Sequence, residues 1–161
     1  MKYKRHKVIF ALLYSCGLRV SELINLKWAH INRSRMIINI LQGRQVMLTP
    51  EMIPLLEKYW KEYRPKVYVL NGQFDPQYSA TSVGQVIKQL AQKSGIHKRV
   101  YTHLIRHCSF THMVESGTDI NLIQRLAGHN NVKTTMIYTH ISDNLISKCG
   151  LDKCIIYGRK D

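Results

Sequence analysis

The chain has few acidic residues, few cysteines and no long apolar run. Ten Asp and Glu stand against 24 Lys and Arg in 161 residues, which gives a formal net charge of +14. An excess of this size favours a polyanionic partner, either nucleic acid or an anionic membrane surface. Low-complexity tracts are absent, and 45% of the residues are hydrophobic. The composition therefore argues against a disordered chain, and the length suits one compact domain.

The longest apolar stretch, Val8 to Tyr14, is far shorter than the roughly 20 residues of a membrane-spanning helix. Basic residues before it imitate a secretory signal. Against that interpretation, Tyr14 is too bulky for a cleavage site before Cys16, and the apolar periodicity continues through Leu18 and Leu23. We expect neither a signal peptide nor a membrane span.

Four cysteines are present, and none belongs to a Cys-x-x-Cys pair. A chain of this length does not need disulfide bonds to be stable, so we expect a reduced, cytoplasmic setting. Cys108 falls inside an apolar helical pattern, which predicts a small core residue.

Periodicity and breakers predict a mainly α domain with a small antiparallel β-sheet, an α+β fold. Gly17, Gly95, Gly117 and Gly128 follow predicted helices, where a left-handed residue commonly ends a helix. Predicted helices cover residues 7–15, 21–26, 50–63, 82–93, 102–115, 120–127, 132–139 and 142–149, with a hairpin over 36–41 and 45–48, a strand candidate at 67–70 and a loop at 71–79.

His103 and Arg106 lie three residues apart at the start of a predicted helix, so their side chains project side by side. An imidazole and a guanidinium at this place suit an anion, especially a phosphate. A solvated polar face is the plainer alternative. A zinc site using His103, His107 and His112 is a further alternative, but Leu104 stands where the metalloprotease pattern has glutamate, and no convincing third ligand is present.

Four separated motifs taken together are far more specific than any one of them. They are Gly17-Leu18-Arg19-Val20-Ser21-Glu22-Leu23, His103-Leu104-Ile105-Arg106-His107, Leu126-Ala127-Gly128-His129 and the segment from Thr134 to Tyr138. In order and approximate spacing the chain closely resembles the catalytic domain of tyrosine recombinases of the phage-type integrase family. The resemblance runs from about Lys7 to Ser142.

The resemblance implies that the chain cuts and rejoins double-stranded DNA through a covalent 3′-phosphotyrosyl intermediate, without metal or nucleotide cofactor, in integration or recombination of a mobile element. Tyr138 would be the nucleophile. Arg19 and Arg106 would bind the non-bridging oxygens of the scissile phosphate. His103 and His129 would hydrogen-bond the phosphate and assist proton transfer.

These residue types fit that chemistry. Phosphoryl transfer concentrates negative charge on oxygen atoms that planar, bidentate arginines bind better than lysines do. A tyrosine hydroxyl has a pKa near 10, so attack near neutral pH needs a positive site or a nearby base. His107 is expected to be structural.

One departure concerns a lysine that the family usually carries in its β-hairpin turn as general acid. The segment from Ile40 to Val46 is too short to hold the family's Gly-Lys-Gly-x-Lys-x-Arg-like sequence. Aligning Arg44 with the final arginine gives the better match, so the lysine is deleted; the alternative places Arg44 at the lysine position, where a guanidinium is a poor proton donor. A general acid is worth 10²–10⁴-fold, so we predict impaired cleavage. A fold that only binds DNA is the alternative function.

A second departure concerns length. Relatives carry an N-terminal helical domain that closes around DNA, whereas this sequence begins at the first catalytic-domain helix, as in an excised fragment or a truncated product. We expect a catalytic-type domain over 1–149, a tail over 150–161 and weak, salt-sensitive DNA binding. The helix at 142–149 resembles the one that relatives lend to a neighbouring protomer, so other protomers are expected partners. RNA or a membrane surface is a distant third partner class.

Overall fold

The computed structural model describes residues 2–40, 43–72 and 76–128. Within these ranges the chain forms helices and one small antiparallel sheet, which confirms the predicted fold class. The helices are α1 (Lys2–Ser15), α2 (Val20–Ile24), α3 (Met52–Tyr63), α4 (Ala80–Lys93), α5 (Thr102–Glu115) and α6 (Ile120–Ala127), with a 3₁₀ turn at Trp28–His30, and the strands are β1 (Ile31–Asn32), β2 (Ile37–Asn39) and β3 (Gln45–Met47).

Helix α1 is the centre of the hydrophobic core. Its side chains from Val8 to Leu13 are all buried, so the helix is apolar around its whole circumference over this stretch. A helix of that kind must be covered on several sides. Helices α3, α4 and α5 pack against it. The run that imitates a signal sequence is therefore the central core element.

The sheet has the strand order β1-β2-β3 and is antiparallel throughout. Ile38 pairs with Ile31 on one side and with Val46 on the other. Ile38 and Val46 are buried, whereas Asn39 and Gln45 are exposed, which is the alternation that a one-sided sheet requires. Next to the β2–β3 pairing, the backbone N–H of Ile40 donates to the carbonyl oxygen of Arg44 over 2.7 Å.

Helices α5 and α6 pack together around a second, smaller cluster of Phe110, Ile123 and Ala127. The Asp119 side chain caps α6 by accepting the backbone N–H groups of its first turn. Helix α6 ends at Gly128, which has a φ of +60°. This packing brings the carbonyl end of α6 to α5 and thereby to the site.

Predicted and observed boundaries agree for α5 and α6, and Gly17, Gly95, Gly117 and Gly128 all have positive φ, as their places after helices predicted. Helix α1 begins five residues earlier than predicted, α2 begins one and ends two residues earlier, and α4 begins two residues earlier. Helix α3 begins two residues later, because Pro50 lies in a preceding turn. Strand β1 was missed, and the 67–70 candidate forms only a single bridge between Lys27 and Tyr68. The predicted helices at 132–139 and 142–149 and the tail at 150–161 lie outside the described residues.

Among the helices of the described ranges, none combines the length and the apolarity needed to cross a lipid bilayer.

Candidate active site

The loop between α1 and α2 places a backbone carbonyl at the centre of the site. Gly17 has a φ of +56°, and a Cβ at this position would lie 2.7 Å from Cζ of Phe110. Both the backbone conformation and the close approach therefore require glycine. The carbonyl oxygen of Gly17 accepts hydrogen bonds from the side chains of Arg106 and Arg44.

Arg19 lies directly before α2 and is the accessible arginine of the site, with a side chain that is 44% exposed. Its backbone N–H donates to the Glu22 carboxylate over 2.7 Å, and its Nη1 lies 3.2 Å from the same carboxylate. Its Nη2 donates to the carbonyl oxygens of Ala127 and Gly128 over 3.3 and 3.2 Å. Arg19 thus connects the start of α2 to the end of α6.

Arg106 lies in the second turn of α5 and is only 2% exposed. Its guanidinium donates to the carbonyl oxygens of Gly17 and Ala127. The same group lies 4.7 Å from the centre of the Phe110 ring, which is a cation–π distance. Arg106 is therefore a buried cation that backbone carbonyls and an aromatic face hold in place.

The two arginines predicted from sequence meet at one atom, the carbonyl oxygen of Ala127. This carbonyl belongs to the last turn of α6, where the helix dipole is negative and favours cations. Arg19 lines an open groove together with Glu22, Asn25 and His30. Arg19 can bind an oxyanion that enters this groove, whereas Arg106 is buried behind it and is not among the residues that line the groove.

His103 lies one helical turn before Arg106 on α5, as the spacing predicted, but the two side chains differ in environment. His103 is exposed, whereas Arg106 is buried. The ring of His103 packs edge-on against His107, with 4.4 Å between ring centres. Burial of His107, together with the neighbouring His103 and Arg106, lowers the pKa of the His107 imidazole. Cys108 is buried in the core, as predicted.

Arg44 and Glu22 form an ion pair that is largely, but not fully, withdrawn from solvent. The Arg44 side chain is 8% exposed and the Glu22 side chain 12% exposed, and the two form an ion pair. Burial lowers the pKa of the Arg44 guanidinium, and the Glu22 carboxylate opposes that shift. Arg44 also donates to the carbonyl oxygens of Leu126, over 2.8 Å, and of Gly17.

His129 and Tyr138 lie outside the described residues. Gly128, which precedes His129 in sequence, is part of the described site: a Cβ on it would lie 2.8 Å from Cδ of Arg44 and 3.7 Å from Nη1 of Arg19. The zinc alternative receives no support in the part of the chain that the structure describes, where no three His, Cys, Asp or Glu side chains come together.

A second open groove runs between α4 and the loop that leads into α5. Its lining includes Val20, the residue after Arg19, and Thr102, the residue before His103. Exposed basic side chains line it as well: His97, Lys98 and Arg99 in the loop, and Lys88 on α4. We call this the basic groove. Two of its lining residues thus neighbour predicted site residues in sequence.

From sequence, Glu22 had no predicted role, and Arg44 was matched to the final arginine of the family's hairpin segment or, alternatively, to its lysine. The spacing of Arg19 and Glu22, three residues apart at a helix start, is a signal that could have indicated their contact. The pairing of Arg44 with Glu22 carries no local signal, because 22 positions separate the two residues.

Comparison with known proteins agrees with this fold. Residues 1–144 match the phage integrase family, and the chain belongs to that family. It is 34% identical over 150 residues to a tyrosine recombinase of Pseudothermotoga lettingae, covering 89% of this chain and 52% of that protein. It is 37% identical over 154 residues to the tyrosine recombinase XerA of Thermococcus onnurineus, covering 86% of this chain and 52% of that one.

Among solved structures, a XerA recombinase superposes with a TM-score of 0.75 and 28% identity, over 88% of this chain and 59% of that one. The resemblance found in the sequence is therefore confirmed at the level of the family. The chain spans about half the length of the curated relatives it matches.

Proposed function

We propose that this chain is a tyrosine recombinase domain that cleaves and rejoins double-stranded DNA in the recombination of a mobile element. The observation that carries the proposal is the meeting of Arg19 and Arg106 at the carbonyl oxygen of Ala127, two residues before His129. Membership of the integrase family and the basic groove support the same function.

In the proposed reaction, the Tyr138 oxygen attacks the scissile phosphorus and forms a phosphotyrosyl bond while the bond to the 5′ oxygen breaks. Arg19 and Arg106 bind the non-bridging oxygens, where the negative charge develops. His103 and His129 hydrogen-bond the phosphate and assist proton transfer, and the departing 5′ oxygen takes up a proton. Attack of the free 5′ hydroxyl on the phosphotyrosyl bond reverses these steps, so rejoining needs no nucleotide cofactor.

Arg106 must change partners to take this part. Its guanidinium is 2% exposed and bound to two backbone carbonyls, whereas Arg19 already reaches the groove. A phosphate that enters the groove would therefore meet Arg19 first. The positive charge of Arg106 acts on the phosphate from the start, because a buried charge is poorly screened.

A nicked duplex that traps the covalent intermediate tests the proposal. The native chain should form a protein–DNA adduct that survives denaturation, and Tyr138→Phe should abolish it, because a phenyl ring has no nucleophilic oxygen. Tyr68→Phe is the matched control, since Tyr68 is half-buried beside Lys27 and lines neither of the two grooves described above. The absence of an adduct at high protein concentration and low salt would refute strand cleavage by this chain.

A DNA-binding module without cleavage activity is the second candidate, and the short sequence between β2 and β3 favours it. This sequence is too short to hold the segment with the lysine that acts as general acid in relatives. Arg44 does not replace that lysine well, because a guanidinium keeps its proton and the Arg44 side chain is bound to Glu22 and to backbone carbonyls. Salt-sensitive DNA binding that is unchanged by Tyr138→Phe, without an adduct, would establish this second function.

A further inference from the structure

Arg44 connects three segments that are distant in sequence and that together form the phosphate site. Its Nε donates to the carbonyl oxygen of Leu126 at the end of α6, one Nη to the Glu22 carboxylate of α2, and the other Nη to the carbonyl oxygen of Gly17. A planar guanidinium has donors in three directions and can make all three contacts at once, whereas a lysine ammonium is a single point.

The contact with Glu22 has an electrostatic consequence for Arg19. Oε1 of Glu22 lies within reach of both Arg19 and Arg44, so the two guanidinium groups share one carboxylate. Arg44 is the more buried of the two and holds the carboxylate on its own side. Without Arg44, the full charge of Glu22 would pair with Arg19 and weaken the attraction of Arg19 for an anion in the groove.

Arg44 also packs against the end of α6. A Cβ on Gly128 would lie 2.8 Å from Cδ of Arg44, so the stem of Arg44 packs directly against the Gly128 backbone. The carbonyl oxygens that hold Arg19 and Arg106 belong to Ala127 and Gly128. The position of this backbone therefore sets the position of both arginines.

We propose that Arg44 is a positioning residue of the phosphate site: it neutralises Glu22, fixes the carbonyl end of α6 and so leaves the charge of Arg19 available to an anion in the groove. This role differs from that of a proton donor and does not require Arg44 to touch DNA. The inference rests on the proposed function, in that the bound anion is taken to be a DNA phosphate.

A double-mutant cycle with Arg44→Met and Glu22→Gln tests the proposal. Glutamine keeps an oxygen for the backbone N–H of Arg19 but removes the competing charge. The single-turnover rate of adduct formation should fall about tenfold or more in Arg44→Met, and adding Glu22→Gln should recover about threefold or more of it. Arg44→Lys should lie between the native chain and Arg44→Met. Arg33→Met is the matched control, because Arg33 pairs with Glu57 in an exposed position.

A purely structural role would make the rate of adduct formation fall and recover in parallel with the free energy of unfolding across the variants, and this result would overturn the proposal. Unchanged cleavage in Arg44→Met would overturn it as well. Unfolding curves of every variant, recorded in the same buffer, distinguish a rate that falls because the protein is less stable from a rate that falls because Arg19 is misplaced.

Titration with inorganic phosphate, followed through the side-chain Nε–H signal of Arg19 in NMR spectra, makes the test independent of cleavage. Arg44→Met should weaken phosphate binding about threefold or more, and the double variant should regain it. Equal phosphate affinity in the native chain and in Arg44→Met would overturn the proposal. Absence of an adduct in the native chain would refute the proposed cleavage alone, and the phosphate titration would still decide the role of Arg44.

Discussion

At the scale of single residues, the site depends on carbonyl oxygens as much as on charged side chains. The motifs single out Arg19 and Arg106, and the two side chains do meet in the folded chain. They did not predict that Arg106 is buried, because its acceptors, the carbonyls of Gly17 and Ala127, lie 89 and 21 positions away in sequence. Backbone groups carry no side-chain signal, so a contact of this kind is visible only in the folded chain.

Gly17 gives the sharpest prediction at this scale. Gly17→Ala places a methyl group 2.7 Å from the Phe110 ring at a φ of +56°, and we expect it to lower the free energy of unfolding by about 1–3 kcal/mol. Gly117→Ala is the control, because Gly117 has a φ of +78° but no atom within 4 Å of the added Cβ. Urea unfolding measures both. A loss in Gly117→Ala as large as that in Gly17→Ala would contradict the role of the Phe110 contact.

At the scale of elements, sequence succeeded where capping and periodicity act within a few residues. Helices α5 and α6 are bounded by turns with Gly117 and Gly128, and both were predicted with their observed limits. The sequence did not predict elements that depend on pairing with other segments. Strand β1 has only two residues and forms because it pairs with β2. In the same way, residues 67–70 meet Lys27 in a single bridge rather than in a sheet.

The hairpin turn gives the prediction at this scale. Gly43 is exposed and has no neighbour within 4 Å of an added Cβ. A Gly-Lys-Gly insertion between Gly43 and Arg44 should therefore lower the free energy of unfolding by less than about 1 kcal/mol. If the missing proton donor limits cleavage, this insertion should raise the rate of adduct formation by about 10²–10⁴-fold. A Gly-Met-Gly insertion of equal length is the control. Equal rates for the two insertions would mean that the lysine is not the limiting group.

At the scale of the whole molecule, we expect the basic residues behind the net charge of +14 to contribute unequally to DNA binding, according to where they lie. Val20 and Thr102, which line the basic groove, are the sequence neighbours of Arg19 and His103, so we expect a bound DNA backbone to pass along this groove. Charges elsewhere on the surface raise the attraction at long range only, which salt screens.

We therefore expect the salt dependence of duplex binding to depend on where the basic residues lie, and not on net charge alone. Replacing Lys88, Lys98 and Arg99 of the basic groove by Gln should reduce the slope of log affinity against log salt by roughly one to three, about 0.9 for each lost phosphate contact. The control removes the same charge from Lys58, Lys61 and Lys66, which are exposed on and after α3. Equal slopes in the two triple variants would contradict a DNA path along the basic groove.

The shared acceptor at Ala127 has a consequence for the order of events when a phosphate arrives. Its carbonyl oxygen is bonded to Arg19 and Arg106 at the same time. Either guanidinium can turn to the phosphate while the other still donates to this oxygen. If both left at once, the Ala127 carbonyl oxygen would have neither hydrogen bond, at a cost of about 1–3 kcal/mol. Capture of the phosphate should consequently proceed in two stages, an easy one through the accessible arginine and a costlier one through the buried arginine.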